Sequence, residues 1–106
     1  PTESFTLRLY WHCLRRVSGN KKIFVHIDGY GQRINGDHEA ANGLYKVRNW
    51  QEGDYIVDDL PLKVPLHFRP GDYNVYLGLF QGSKRMRVTR GKAPDNRFKA
   101  GVIRVR

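Results

Sequence analysis

Four short clusters in this chain hold residue types that can do chemistry. His12-Cys13 sets a thiol beside an imidazole, and Asp58-Asp59 sets two carboxylates side by side. Asp37-His38-Glu39 is a run of oxygen and nitrogen ligands, and Gly29-Tyr30-Gly31 opens like a dinucleotide fingerprint. Spacing works against each of them. On a strand, successive side chains point to opposite faces, so neither the His-Cys nor the Asp-Asp pair meets unless a bulge re-aims one member. Cys13 then reads as a small buried hydrophobe, and Asp58-Asp59 as one solvated carboxylate and one that caps a turn. Ile34 stands where the fingerprint needs its third glycine, and no helix follows it. Asp37-His38-Glu39 matches no calcium or zinc loop; a metal would need Asp28 or Asp58 to join it. His26 and His67 stand alone and read as hydrogen-bonded structural residues. The three serines, Ser4, Ser18 and Ser83, lie near the start or in turns, with no Gly-x-Ser-x-Gly. No catalytic residue, metal or cofactor is therefore expected.

Binding chemistry has two better candidates. Tyr45, Trp50 and Tyr55 would form an aromatic platform for sugar rings if exposed, because flat apolar rings complement sugar C–H faces. Against this, large aromatics usually bury most of their area, so Trp50 reads first as the residue that pins its loop onto the domain. Arg8, Arg85, Arg87, Arg104 and Arg106 each fall on the polar side of an expected strand. If those strands are neighbours they make a positive face, flanked by Lys84, Arg90, Lys92, Arg97 and Lys99. Such a face would adhere to anionic glycolipid, at up to ~1 kcal/mol per basic residue and less in salt. The simpler role is charge that keeps exposed strands from adding to one another.

The elements that must hold these residues are strands. Phe5, Leu7, Leu9 and Trp11 alternate with Thr6, Arg8 and Tyr10, which predicts a half-buried strand; Leu14 and Val17 extend it past a kink near Cys13. Lys22 to Asp28 is apolar on both faces, as in a central strand, and Asp28-Gly29-Tyr30-Gly31 turns it into a hairpin with Gln32 to Asn35. Gly36 to Asn49 keeps no period and reads as a long loop. Asp54 to Val64 is a strand in which Pro61 demands an edge or a bulge. Asp72 to Phe80 alternates again, Lys84 to Arg90 follows with Met86 and Val88 inward, Gly91 to Ala100 is a charged loop, and Gly101 to Arg106 closes the domain with Ile103 and Val105 inward. Pro70-Gly71 suits a type II turn, and Tyr73 behind it sits where the tyrosine corner of sandwich folds bonds back to backbone.

No stretch keeps a helical period. Seven or eight short strands at this spacing predict an all-β antiparallel sandwich, immunoglobulin-like or jelly-roll-like, as a single domain over residues 1–106. The 106 residues, 40% hydrophobic, suit one folded core. One cysteine excludes an internal disulfide. The start at Pro1 reads as a piece cut from something longer. A net charge of +9 permits nucleic acid, anionic lipid headgroups or acidic polysaccharide as partners.

A set of short motifs runs in order along the chain: Leu9-Tyr10-Trp11, Phe24-Val25-His26, Asp28-x-x-Gly31-Gln32, Gly43-Leu44-Tyr45, Trp50-x-x-Gly53-Asp54, Asp58, Leu62-x-Val64-Pro65, Pro70-Gly71-x-Tyr73 and Leu77-Gly78-Leu79-Phe80. Together they resemble the β-sandwich appended after the membrane segments of bacterial glycosyltransferase-like polytopic proteins, those related to the protein mannosyltransferase and aminoarabinose transferase group. The resemblance implies an extracytoplasmic, non-catalytic accessory domain, periplasmic or cell-surface, tethered through a fused membrane portion that carries the chemistry. Where that family commonly reads Tyr-Pro-Thr before the tryptophan, this chain reads Tyr45-Lys46-Val47, so its loop is less rigid. The expected function is a binding module for carbohydrate or anionic glycolipid. The alternative is a nucleic-acid-binding β-domain, which has the charge but no recognisable RNP or OB pattern.

Overall fold

A computed structural model describes residues 3–89 and 93–106. Among them are seven strands and three short 3-10 turns, with no longer helix. β1 (Glu3–His12) pairs antiparallel with β4 (Tyr55–Val64), running from Glu3 opposite Val64 to His12 opposite Tyr55. The second sheet runs β3 (Gln32–Asn35), β2 (Lys22–Gly29), β5 (Gly71–Gln81). Two strands share the far edge of β5: β7 (Phe98–Val105) along Gly71 to Leu77, and β6 (Lys84–Arg85) against Phe80 and Gln81. All pairings are antiparallel, so the domain is an all-β sandwich of two strands against five.

Alternation makes the core. Leu9, Ile56 and Leu60 of the small sheet join Ile23, Val25, Ile27, Ile34, Tyr73, Val75 and Leu79 of the large one in a single buried cluster. Cys13 is buried with them, its thiol 3.1 Å from the Arg15 carbonyl, so it packs as the small hydrophobe expected. Among the described residues β4 has β1 on one side and no strand on the other, which gives Pro61 the edge that its missing N–H requires. Tyr30 and Gly31 both take positive φ, 52° and 73°, the requirement of a type I′ hairpin turn.

The corner at Tyr73 forms as its spacing predicts. The ring is fully buried and its hydroxyl donates to the Arg69 carbonyl at 2.7 Å, with Gln32 Oε1 at 3.2 Å. Gly71 takes φ 140°, and a Cβ there would lie 2.1 Å from the Tyr30 hydroxyl, so any other residue would strain the backbone and displace the Tyr30 ring.

Three expectations of chain path need correction. β1 ends at His12 rather than running through Leu14, which is exposed, although Val17 does pack on the core. Cys13 instead exchanges backbone bonds with Gly53 and Asp54, at 2.7 and 2.9 Å, and this turns the chain away. The strand expected from Lys84 is only two residues long, and Met86 is exposed rather than inward. The reason is that β7 already occupies the edge of β5 as far as Leu77, so beyond the pairs at Phe80 and Gln81 the returning chain makes one more bond, from the Met86 N–H to the Leu79 carbonyl at 2.8 Å. β7 starts at Phe98, inside the expected charged loop, because a bulge between Val75 and Tyr76 lets the ladder continue. Arg90, Gly91 and Lys92, part of the expected strand, loop and basic flank, lie outside the described residues.

Candidate functional site

The clusters that looked chemical are placed first by the strand faces. Asp58 and Asp59 point opposite ways, as alternation requires. Asp59 lies outside and holds Arg8 in a two-pronged ion pair, at 2.7 and 3.0 Å. Asp58 falls on the inward set of β4 and is fully buried. Its carboxylate accepts the Ala41 backbone N–H at 2.9 Å and the His38 ring nitrogen Nε2 at 2.6 Å, while His38 Nδ1 lies 2.6 Å from the Gly36 carbonyl. A carbonyl and a carboxylate only accept, so this setting offers a partner to a proton on each ring nitrogen and favours the imidazolium. Burial opposes that charge, but the bonds to Asp58 and to the Gly36 carbonyl outweigh it and raise the pKa above the ordinary histidine value. The pair fastens the long loop onto β4, where Ala41 and Asn42 hold the left-handed conformation at φ 54° and 55°. Of the expected ligand run, His38 is thus consumed in a structural bond, and among the described residues no three ligands gather for a metal.

The aromatic trio does not form one platform. Trp50 is buried, donates its indole N–H to the Tyr45 carbonyl at 3.0 Å and packs 5.9 Å from the Trp11 ring, so it pins the loop from inside. Tyr45 is half-buried and donates its hydroxyl to Asp54, which also accepts the Gln51 N–H at 2.9 Å. Only Tyr55 faces solvent, at 79% exposure. The buried indole N–H needed a partner, and the nearby Tyr45 carbonyl supplies it.

Tyr55 has other company. The β1–β4 register puts it opposite His12, with Tyr10 opposite Val57 one pair along on the same face. The Tyr55 and His12 rings stack at 4.1 Å and 8°, and Tyr10 is 74% exposed. Two cross-strand pairs therefore make an exposed strip, bordered by the Arg8–Asp59 ion pair. Tyr10 and His12 were missed because alternation assigns them merely to the polar side of β1. Only the pairing of β1 with β4, distant in sequence, brings them beside Tyr55.

The five arginines do not share a face. Arg8 lies on the outside of the small sheet, whereas Arg85 and Arg104 belong to the large one. Register also supplies counter-charges: Asp59 stands opposite Arg8 and Asp72 opposite Arg104, the latter bonded at 3.0 Å. Arg85 lies over the Phe24 ring at 5.1 Å. Arg87 and Arg106 are exposed at the end of the β6 hairpin and of β7. Arg97, from the expected flank, stacks on Tyr76 at 4.2 Å and joins Arg33 on Asp28. Pairing of this kind holds strands in register and dilutes the positive field.

The outer face of the large sheet is unusual in burying Phe24 and His26, on the side away from the core cluster. Burial first, then the positive charges of Arg33 and Arg85, lower the His26 pKa, so this imidazole is neutral. No family model, curated protein or solved structure matches the chain.

Proposed function

We propose that this chain is a non-catalytic module that binds carbohydrate through the exposed strip of Tyr10, His12 and Tyr55 on the outside of the small sheet. The observation that carries the reading is that strip: two tyrosines about three-quarters exposed, one of them held flat by a stacked imidazole. A contiguous exposed aromatic patch, unlike hydrophobic residues scattered singly over a surface, is a mark of a binding site. The titratable groups support binding over catalysis, because His38, Asp58, Asp28 and Asp54 are engaged in holding loops and strands. The location we propose rests on the motif resemblance alone: the outer side of a bacterial membrane, beside a glycosyltransferase portion. Among the described residues no helix is long and apolar enough to cross a membrane. A nucleic-acid role has less support, since the arginines divide between sheets and several already hold aspartates.

The test is titration with envelope polysaccharides, followed by amide chemical shifts. Shifts are expected at Tyr10, His12 and Tyr55, and Tyr55→Ala should bind about two- to tenfold more weakly while melting as the parent does. Silence across a broad polysaccharide panel ends the carbohydrate reading.

A further inference from the structure

A groove of about 440 Å³ opens on the opposite side of the sandwich, over the outer face of the large sheet. Its size falls within the ~300–1,000 Å³ of small-molecule sites. Phe24 and His26 of β2 form its floor. The walls come from the β5–β6 hairpin, through Phe80, Ser83 and Arg85, from Asp37 after β3, and from the turn bearing Asp95 and Asn96.

Its polar groups are the ones the fold leaves unused. Of the seven aspartates, Asp28, Asp54, Asp58, Asp59 and Asp72 each hold a side-chain or backbone donor. The carboxylates of Asp37 and Asp95 have no partner among the described residues, and both line this groove. Arg85 has no carboxylate partner there either; one of its N–H groups donates to the Asp95 carbonyl at 3.1 Å. The Asn96 side chain uses only its oxygen, accepting the Val88 N–H at 3.2 Å. On the floor, His26 Nδ1 is buried without a hydrogen-bond partner among the described residues.

The groove thus offers two acceptors without donors, a guanidinium and an amide with spare N–H groups, the Ser83 hydroxyl, and the apolar wall of Phe80. A phosphate or carboxylate would approach Arg85 but meet two carboxylates; a cation would meet Arg85. Neither charge fits, whereas vicinal hydroxyls, each donor and acceptor at once, satisfy both sets together. We infer that this groove binds a neutral polyhydroxylated ring of one or two sugar units, with hydroxyls donating to Asp37 and Asp95 and accepting from Arg85. The site lies on the other sheet from the Tyr10–Tyr55 strip and stands independently of it.

The experiment is an amide-shift titration of the chain with neutral mono- and disaccharides, alongside a hexuronate, a sugar phosphate and calcium chloride. Neutral sugars are expected to shift Asp37, Ser83 and Asn96, equally in the parent and in Tyr55→Ala. The double variant Asp37→Asn, Asp95→Asn, which breaks no bond within the described residues, should bind about tenfold more weakly and melt at the parent temperature. No shift at these residues across the neutral panel overturns the inference, as does undiminished binding by the double variant. Stronger shifts from hexuronate, sugar phosphate or calcium overturn it too, by making the groove an ion site. Loss of the strip's shifts alone touches only the reading made for that strip.

Discussion

Asp58→Ala is expected to lower the unfolding free energy by about 3–5 kcal/mol, the range for removing one partner of a buried ion pair. The substitution leaves the His38 Nε2 and the Ala41 N–H without their partner in the interior, and it frees the turn in which Ala41 and Asn42 hold left-handed backbone. Chemical denaturation measures the loss; a parent-like midpoint would refute the anchoring role. The same pair gives stability a direction in pH. His38 has a raised pKa in the fold, so above the ordinary value near ~6.5 the native state binds more protons than the unfolded chain. Its contribution is complete below that value and disappears as pH rises through the elevated one. His26 has the opposite sense: kept neutral by burial, it contributes fully above ~6.5 and loses that contribution as pH falls toward its lowered value. Denaturation midpoints should therefore decline on both sides of a maximum near pH ~6.5. In Asp58→Ala the decline on the alkaline side should flatten.

Tyr73→Ala is the second large effect, about 3–5 kcal/mol, as for other buried aromatics cut back to alanine. The ring stacks on Phe68 at 5.5 Å and meets Tyr30 edge-on at 5.4 Å. Its removal leaves a cavity between the β2–β3 turn and the start of β5. Tyr73→Phe separates the hydroxyl from the ring: it keeps the packing, leaves the Arg69 carbonyl unpaired, and should cost about 1–3 kcal/mol. Equal losses for the two variants would show that the bond, and not the ring, holds the corner.

Period-two alternation made most of the fold readable, because burial of one face imposes it residue by residue. β1, β2, β4 and β5 lie where that pattern puts them, and Pro61 and Tyr73 were legible because proline's missing donor and tyrosine's hydroxyl each admit few settings. Alternation fails where a strand loses its neighbour: Met86 and Val88 keep the pattern, yet past the Met86 bond to Leu79 the place Val88 would take opposite Leu77 belongs to Phe98 of β7. The role of Asp58 was half visible, since it shares a face with Ile56 and Leu60, but the partners that make its burial tolerable lie in the aperiodic loop. The candidate surfaces were least legible of all. Tyr10, His12 and Tyr55 become neighbours only through a pairing of strands far apart in sequence, and the groove takes its walls from three separate turns. Trp50 shows the converse, a residue whose type suggests a ligand and whose buried N–H bond to Tyr45 shows it to be a fastening.

The pairing of β1 with β4 bears on how the chain reaches this state. The β2–β3 hairpin closes across two residues, whereas Glu3 waits for Val64. Closing so wide a loop costs entropy before any contact compensates it, which makes such pairings slow. Until the fourth strand has left the ribosome, Phe5, Leu7, Leu9 and Trp11 have no sheet to join. β1, made before the other six described strands, is thus among the last to be covered, and pulse-labelled hydrogen exchange during refolding would record it as protection that arrives at Leu7 after Val25.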